Sequence, residues 1–259
     1  SMPSGSISGV LVYISGAVNA QTDAAGFACT LGGTVRGCKV YLGQNSTVTI
    51  SGKNAAGFAV SSTATIQNAY VSGKAGIIGT ENAAGFIVNA EDGSITNVVV
   101  TPVYGNDTGA YVGNGNQNLQ ISGPSAAGFI VNNKARLLRE CAALGTLSGD
   151  KTAGFVQVNE GPIELCQANV ALPDSGTAFI GTNNATVRNC YGWYAGGSAD
   201  DAAGAGRYFG CFFAPLTSSL QSTTATTVTL FPGEDDGIDG KTPQNTALGA
   251  VTTELLNGS

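Results

Sequence analysis

Histidine is absent from the 259 residues, which removes the commonest general base and the commonest nitrogen ligand for metals. Charge is scarce as well. Charged residues make up 11% of the chain, with 11 Lys and Arg against 17 Asp and Glu and a formal net charge of −6. With no basic patch, the phosphate neutralisation that drives nucleic-acid binding is missing. Attraction to an anionic membrane surface fails for the same reason. No apolar run approaches the ~18 residues of a membrane span, so membrane insertion is not expected. There is no Cys-x-x-Cys, and with His missing as well a zinc site is not expected.

What is present is small and repetitive. Gly contributes 38 residues, and Ala, Val, Ser, Thr and Asn fill most of the rest. That mixture is too apolar for disorder and suits many short strands joined by tight turns. The stretch NAAGFAV (Asn54–Val60) returns as NAAGFIV (Asn82–Val88), SAAGFIV (Ser125–Val131) and TAGFVQV (Thr152–Val158). Aligned on the aromatic, the series is Phe27, Phe58, Phe86, Tyr111, Phe129, Phe155 and Phe179, with Ala202–Ala205 as a degenerate further copy.

Eleven or twelve residues after each aromatic lies Cys38, Ala69, Val98, Ser122, Cys141, Cys166 or Cys190. Three residues before each of these is an aliphatic: Val35, Ile66, Ile95, Leu119, Leu138, Ile163 or Val187. Ile7 with Val10 and Tyr208 with Cys211 repeat the spacing, giving nine rungs. A spacing of three is wrong for inward residues of a continuous strand, which alternate with period two. A corner between them resolves this. Gly9, Gly37, Asn68, Asn97, Asn189 and Gly210 sit at that corner, and Gly and Asn tolerate a left-handed backbone.

The pattern predicts an all-β protein: a single-stranded, right-handed parallel β-helix of about 8–9 rungs, in which stacking buries faces that no coil can bury alone. Phe stacks on Phe, and the Cys/Val/Ala positions form a small-residue ladder. The Ala-Ala-Gly provides a close approach that only small residues allow. Residues 1–6 read as a cloning remnant and linker, with any export signal missing from the start, 7–211 as repeats, and 212–259 as a C-terminal cap and tail.

TAFIGT (Thr177–Thr182) and VRNCYGWYAGG (Val187–Gly197) resemble GLUG-type repeats, whose unit reads approximately AGLVG followed by I-x-N-C-Y-A-x-G. Most copies here write Gly-Phe-x-Val instead. GLUG-type repeats occur in large secreted or surface-attached bacterial proteins of adhesin-like architecture, so the resemblance implies a solenoid, export, and no catalytic residue.

Candidate sites are few. Cys38, Cys141, Cys166, Cys190 and Cys211 share the ladder position and are expected to be inward, reduced thiols. The rival is a disulfide between neighbouring rungs, since a Cα spacing of ~4.8 Å lies within the permitted range. Cys29 is expected in the core too. Glu234, Asp235, Asp236 and Asp239 offer oxygen ligands for Ca²⁺, without EF-hand spacing. Glu140 and Glu164, on adjacent rungs, are the candidate carboxylate pair of a carbohydrate-active enzyme, the first alternative. A trimeric viral receptor-binding spike is the second. Tyr191, Trp193 and Tyr194 are the candidate ligand-binding group, while Trp193 has the competing reading of a plug for the last coil.

The expectation is a non-enzymatic secreted or cell-surface module, an adhesive or ligand-presenting rod or a rigid stalk. It would act as a monomer toward a host or microbial glycan or surface protein.

Overall fold

The computed structural model describes residues 5–43, 47–102, 119–198 and 204–215, together with the backbone of two strands at 228–231 and 244–246. The chain winds as a parallel β-solenoid. Its first coil is β1 (Ser6–Ser8), β2 (Leu11–Ile14), β3 (Val18–Asn19), β4 (Asp23–Ala25) and β5 (Ala28–Leu31). The second is β6 (Thr34–Arg36), β7 (Lys39–Leu42), β8 (Val48–Ala56) and β9 (Ala59–Ser62). The third is β10 (Thr65–Gly73), β11 (Ala75–Ala84) and β12 (Ile87–Ala90).

Coil four comprises β13 (Ser94–Thr101), β14 (Leu119–Ser122), β15 (Ser125–Ala127) and β16 (Ile130–Asn133). Coil five comprises β17 (Leu137–Arg139), β18 (Ala142–Ser148), β19 (Lys151–Ala153) and β20 (Val156–Asn159). Coil six comprises β21 (Ile163–Glu164), β22 (Gln167–Ala171) and β23 (Ile180–Asn183). Partial coils follow: β24 (Thr186–Arg188) with β25 (Tyr191–Ala195), then β26 (Arg207–Phe209) with β27 (Cys211–Pro215). Each strand pairs in parallel with its counterpart one coil on, as in Ile66 with Ile95 and Ala83 with Ala126. The order ends with β28 (Val228–Phe231) antiparallel on β27 and β29 (Gln244–Thr246) antiparallel on β28.

The corner is left-handed at every level. Gly9, Gly37, Asn68, Asn97, Asn189 and Gly210 have φ between 51° and 67°, and Glu140 and Leu165 take the same conformation at 55° and 53°. Each corner reverses which face points inward, which is why the aliphatic and the Cys position can both be buried at a spacing of three. Two rungs hold this conformation without the residue types that favour it.

The Phe ladder fills the core. Successive rings from Phe27 through Phe58, Phe86, Phe129, Phe155 and Phe179 stack with centroids 4.7–5.0 Å apart. The glycine before each Phe faces the main chain one coil on. A Cβ on Gly57, Gly85 or Gly128 would overlap the carbonyl oxygen of Gly85, Gly128 or Gly154 in turn. This is a constraint of approach distance, distinct from the left-handed corner.

The valine of Gly-Phe-x-Val has its own purpose. Val60, Val88 and Val131 pack with Ala56, Ala84 and Ala127 in a second apolar seam, separate from the main core. Asparagine ladders run alongside. Asn133 donates through Nδ2 to Oδ1 of Asn159 at 2.7 Å, and Asn159 to Asn183 at 2.8 Å, all three buried. Stacked amides satisfy one another inside the wall, where an unpaired amide is costly.

Two expectations about the count are corrected. Phe86 stacks directly on Phe129, and its N–H donates to the Phe129 carbonyl at 3.0 Å. No coil lies between them, so Tyr111, outside the described residues, starts no rung. Leu119 pairs with Ala75 on another side of the solenoid and does not join the Ile95 column. The described residues therefore form six complete coils, with eight levels at the corner instead of nine. The Thr-rich stretch Val48–Ser51 is a regular side of the second coil, paired with β3 and β11.

Candidate functional site

After the corner the chain enters one continuous sheet, β2–β7–β10–β13–β18–β22–β25–β27. One side of it is core: Val12, Val40, Val71, Val100, Ala143, Ala168, Gly192 and Phe213 share a register column. The other side carries aromatics at both ends.

At the late end, Tyr191 stacks on Phe212 at 5.5 Å and Trp193 meets the same ring edge-on at 5.4 Å. The Arg188 guanidinium lies 5.1 Å from the centre of the Phe209 ring. In the preceding coil Gln167 is in register with Tyr191, and Asn169 with Trp193. The Oδ1 of Asn169 is buried with no hydrogen-bond partner. Half-burial, with smaller contributions from Cys190 and Cys166, holds the Tyr191 hydroxyl above its ordinary pKa, so it stays a neutral donor.

Tyr194 departs from this group. It occupies the column of Val170 and is only 7% exposed. Alternation along β25 puts Tyr191 and Trp193 outside and Tyr194 inside. Nor is Trp193 the plug. Phe213 is fully buried on Phe179, at 5.4 Å. It fits because position 192 is glycine, where a Cβ would come within 2.9 Å of its ring.

At the opposite end of this face, Tyr13 stacks on Tyr41 at 5.1 Å and Tyr41 meets Tyr70 at 6.3 Å. Sequence reasoning passed over this row, although Tyr13 and Tyr41 each stand three residues after the Cys position.

The cysteines divide into two kinds. Cys38, Cys141, Cys166, Cys190 and Cys211 are buried free thiols, as the ladder predicted. The backbone N–H of Cys141 points to Sγ of Cys166, that of Cys166 to Cys190, and that of Cys190 to Cys211, at 3.3–3.4 Å. Burial raises the thiols of Cys141, Cys166 and Cys190 well above their ordinary pKa. Cys29, expected in the core, is exposed instead; its register position on β5 is the one that Val60 takes on β9, in the second apolar seam and outside the main core.

Glu140 is paired with its neighbour Arg139 at 3.2 Å. Glu164 lies in register between Arg139 and Arg188. The two carboxylates thus stand among arginines on the solenoid wall, in different columns. Glu234, Asp235, Asp236 and Asp239 lie outside the described residues. Among the described residues no group of three or more metal-ligating side chains forms, and no helix is long and apolar enough to cross a membrane.

Comparison with protein-family models, curated proteins and solved structures returned no match.

Proposed function

We propose that the protein is a non-enzymatic binding module, a rigid secreted or cell-surface β-solenoid that presents a ligand-binding face. The observation that carries this reading is the aromatic group of Tyr191, Trp193 and Phe212, held outward by a sheet whose other side is fully packed. Aromatic faces flanked by the Gln167 and Asn169 amides suit a sugar ring, which offers both C–H faces and hydroxyls. The same rings would also serve a protein partner. The ligand of this proposal is a host or microbial glycan or a surface protein.

A GLUG-type assignment, with a bacterial adhesin-like setting, belongs to the same proposal. Its support is Ala178–Gly181 followed by Val187–Tyr191. Calcium at Glu234, Asp235, Asp236 and Asp239 rests on their carboxylate chemistry alone.

The test is binding of the labelled protein to an array of glycans, with and without Ca²⁺. Saturable binding that Trp193→Ala abolishes supports the reading. A blank array with folded protein would remove the glycan ligand and favour a stalk or a protein partner.

A further inference from the structure

On the outward side of the sheet that follows the corner, Tyr70, Val99, Ala142, Gln167, Tyr191 and Phe212 stand in register on six successive levels. Consecutive levels lie ~4.8 Å apart, so this column runs about 24 Å along the solenoid axis. Aromatics stand at both ends of it. Tyr70 meets Tyr41 at 6.3 Å, and Tyr191 stacks on Phe212 at 5.5 Å. Between them lie the small side chains of Val99 and Ala142 and the amide of Gln167.

The parallel column two residues further along each strand is closed in the third and fourth coils, where Ser72 and Thr101 are buried. It opens beyond them at Leu144, Asn169 and Trp193. Neither column carries a charged residue on these levels.

We propose that the first column seats a linear, uncharged polysaccharide lying along the solenoid axis, with the two aromatic clusters as its end contacts. This rests on the ligand-binding reading and adds the class, the orientation and the length of the ligand. Three observations select the occupant. First, the main-chain groups of these strands are spent on pairing between coils. A peptide therefore has no edge to join here as a further strand, and side chains alone must hold the ligand. Second, a column without charge offers no partner to an anionic chain. Third, the wall repeats at a fixed step, as a polymer of identical units does, and stacked repeats present extended binding surfaces. A chain whose pyranose units each advance about one coil step of ~4.8 Å sets one unit over each level. The rings at the two ends then meet the C–H faces of sugars, and Gln167 meets a hydroxyl between them.

Calorimetric titration of the full chain with cello-, manno- and laminari-oligosaccharides of two, four and six units tests this. A tetrasaccharide seated on Phe212 and Tyr191 ends at Ala142, whereas a hexasaccharide reaches Tyr70. In the series that binds, six units should bind about ten-fold more tightly than four, because the second cluster is engaged within one ligand. Trp193 is the single tryptophan, so both lengths should change its emission. Tyr70→Ala should bring the hexasaccharide down to the affinity of the tetrasaccharide. It should leave the tetrasaccharide unchanged, which also shows that the variant is folded. Val99→Lys, which places a charge midway and alters neither cluster, should do the same. Equal affinity for four and six units, or a hexasaccharide indifferent to both substitutions, would overturn the axial seat while a glycan site at Tyr191 and Trp193 still stood. Absence of binding at every length in all three series would overturn this inference together with the glycan ligand of the proposed function.

Discussion

Leu165 and Asn189 occupy the same corner in successive coils, with φ of 53° and 51°. Each N–H donates to the carbonyl before the next corner, Leu165 to Arg188 at 3.0 Å and Asn189 to Phe209 at 2.8 Å. Asparagine tolerates this left-handed conformation; a branched aliphatic does so at a cost of roughly 1 kcal/mol. Leu165 gains little burial in return, being 44% exposed. Leu165→Asn should therefore raise stability by about 0.5–1 kcal/mol. An increased midpoint in urea at unchanged slope would show it; a lowered midpoint would mean the exposed leucine contributes packing that outweighs its backbone.

Gly128→Ala tests the close approach. Its Cβ would overlap the Gly154 carbonyl, which is main chain and cannot swing aside. Both neighbouring coils must separate locally, so a loss of about 3 kcal/mol or more is expected. Chemical denaturation of this variant beside Ala127→Gly, which removes a methyl without a clash, separates overlap from a general sensitivity of the seam.

Asn159→Ala breaks the buried amide ladder at its centre. The Nδ2 of Asn133 loses its acceptor, and the Oδ1 of Asn183 loses its donor, although Oδ1 of Asn183 still accepts from the N–H of Ala185. One newly orphaned buried donor and the cavity beside it should together cost about 2–4 kcal/mol. If equilibrium unfolding shows a change near zero, the ladder contributes register without stability.

The thiols predict a pH dependence. Burial raises Cys141, Cys166 and Cys190 above the ordinary value of 9.0. The unfolded chain therefore ionises at lower pH than the folded one, and the stability is fully present below about pH 9. It falls as pH rises further, since the unfolded state then binds fewer protons. Tyr70 and Tyr191, also raised, act in the same direction at higher pH. The melting temperature should decline above pH 9, less steeply in Cys166→Ala. A thiol reagent at neutral pH should label Cys29 alone in the folded protein and all six cysteines once unfolded.

Much of the fold was legible because it repeats. A spacing of three between Val35 and Cys38 demanded a corner, and Gly37 at that corner supplied the backbone for it. Glu140 and Leu165 were illegible as corners, since neither residue type signals a left-handed backbone; their neighbours in adjacent coils impose it. Tyr111 misled because an aromatic preceded by Gly-Ala resembles the repeat, yet pairing is decided by which coils stack. The candidate site was half legible. Tyr191 and Trp193 stood out by residue type, but which faces of β25 they and Tyr194 take depends on where the corner falls.

By itself the sequence determined a parallel β-solenoid with a phenylalanine ladder, free thiols along one column and a chain poor in charge, because stacked coils impose the same local demands at each repeat. Only the tertiary structure decided the number of coils among the described residues and the fate of Trp193 and Phe213. Those depend on which residue lies above which, and a register between distant segments is set by packing across coils.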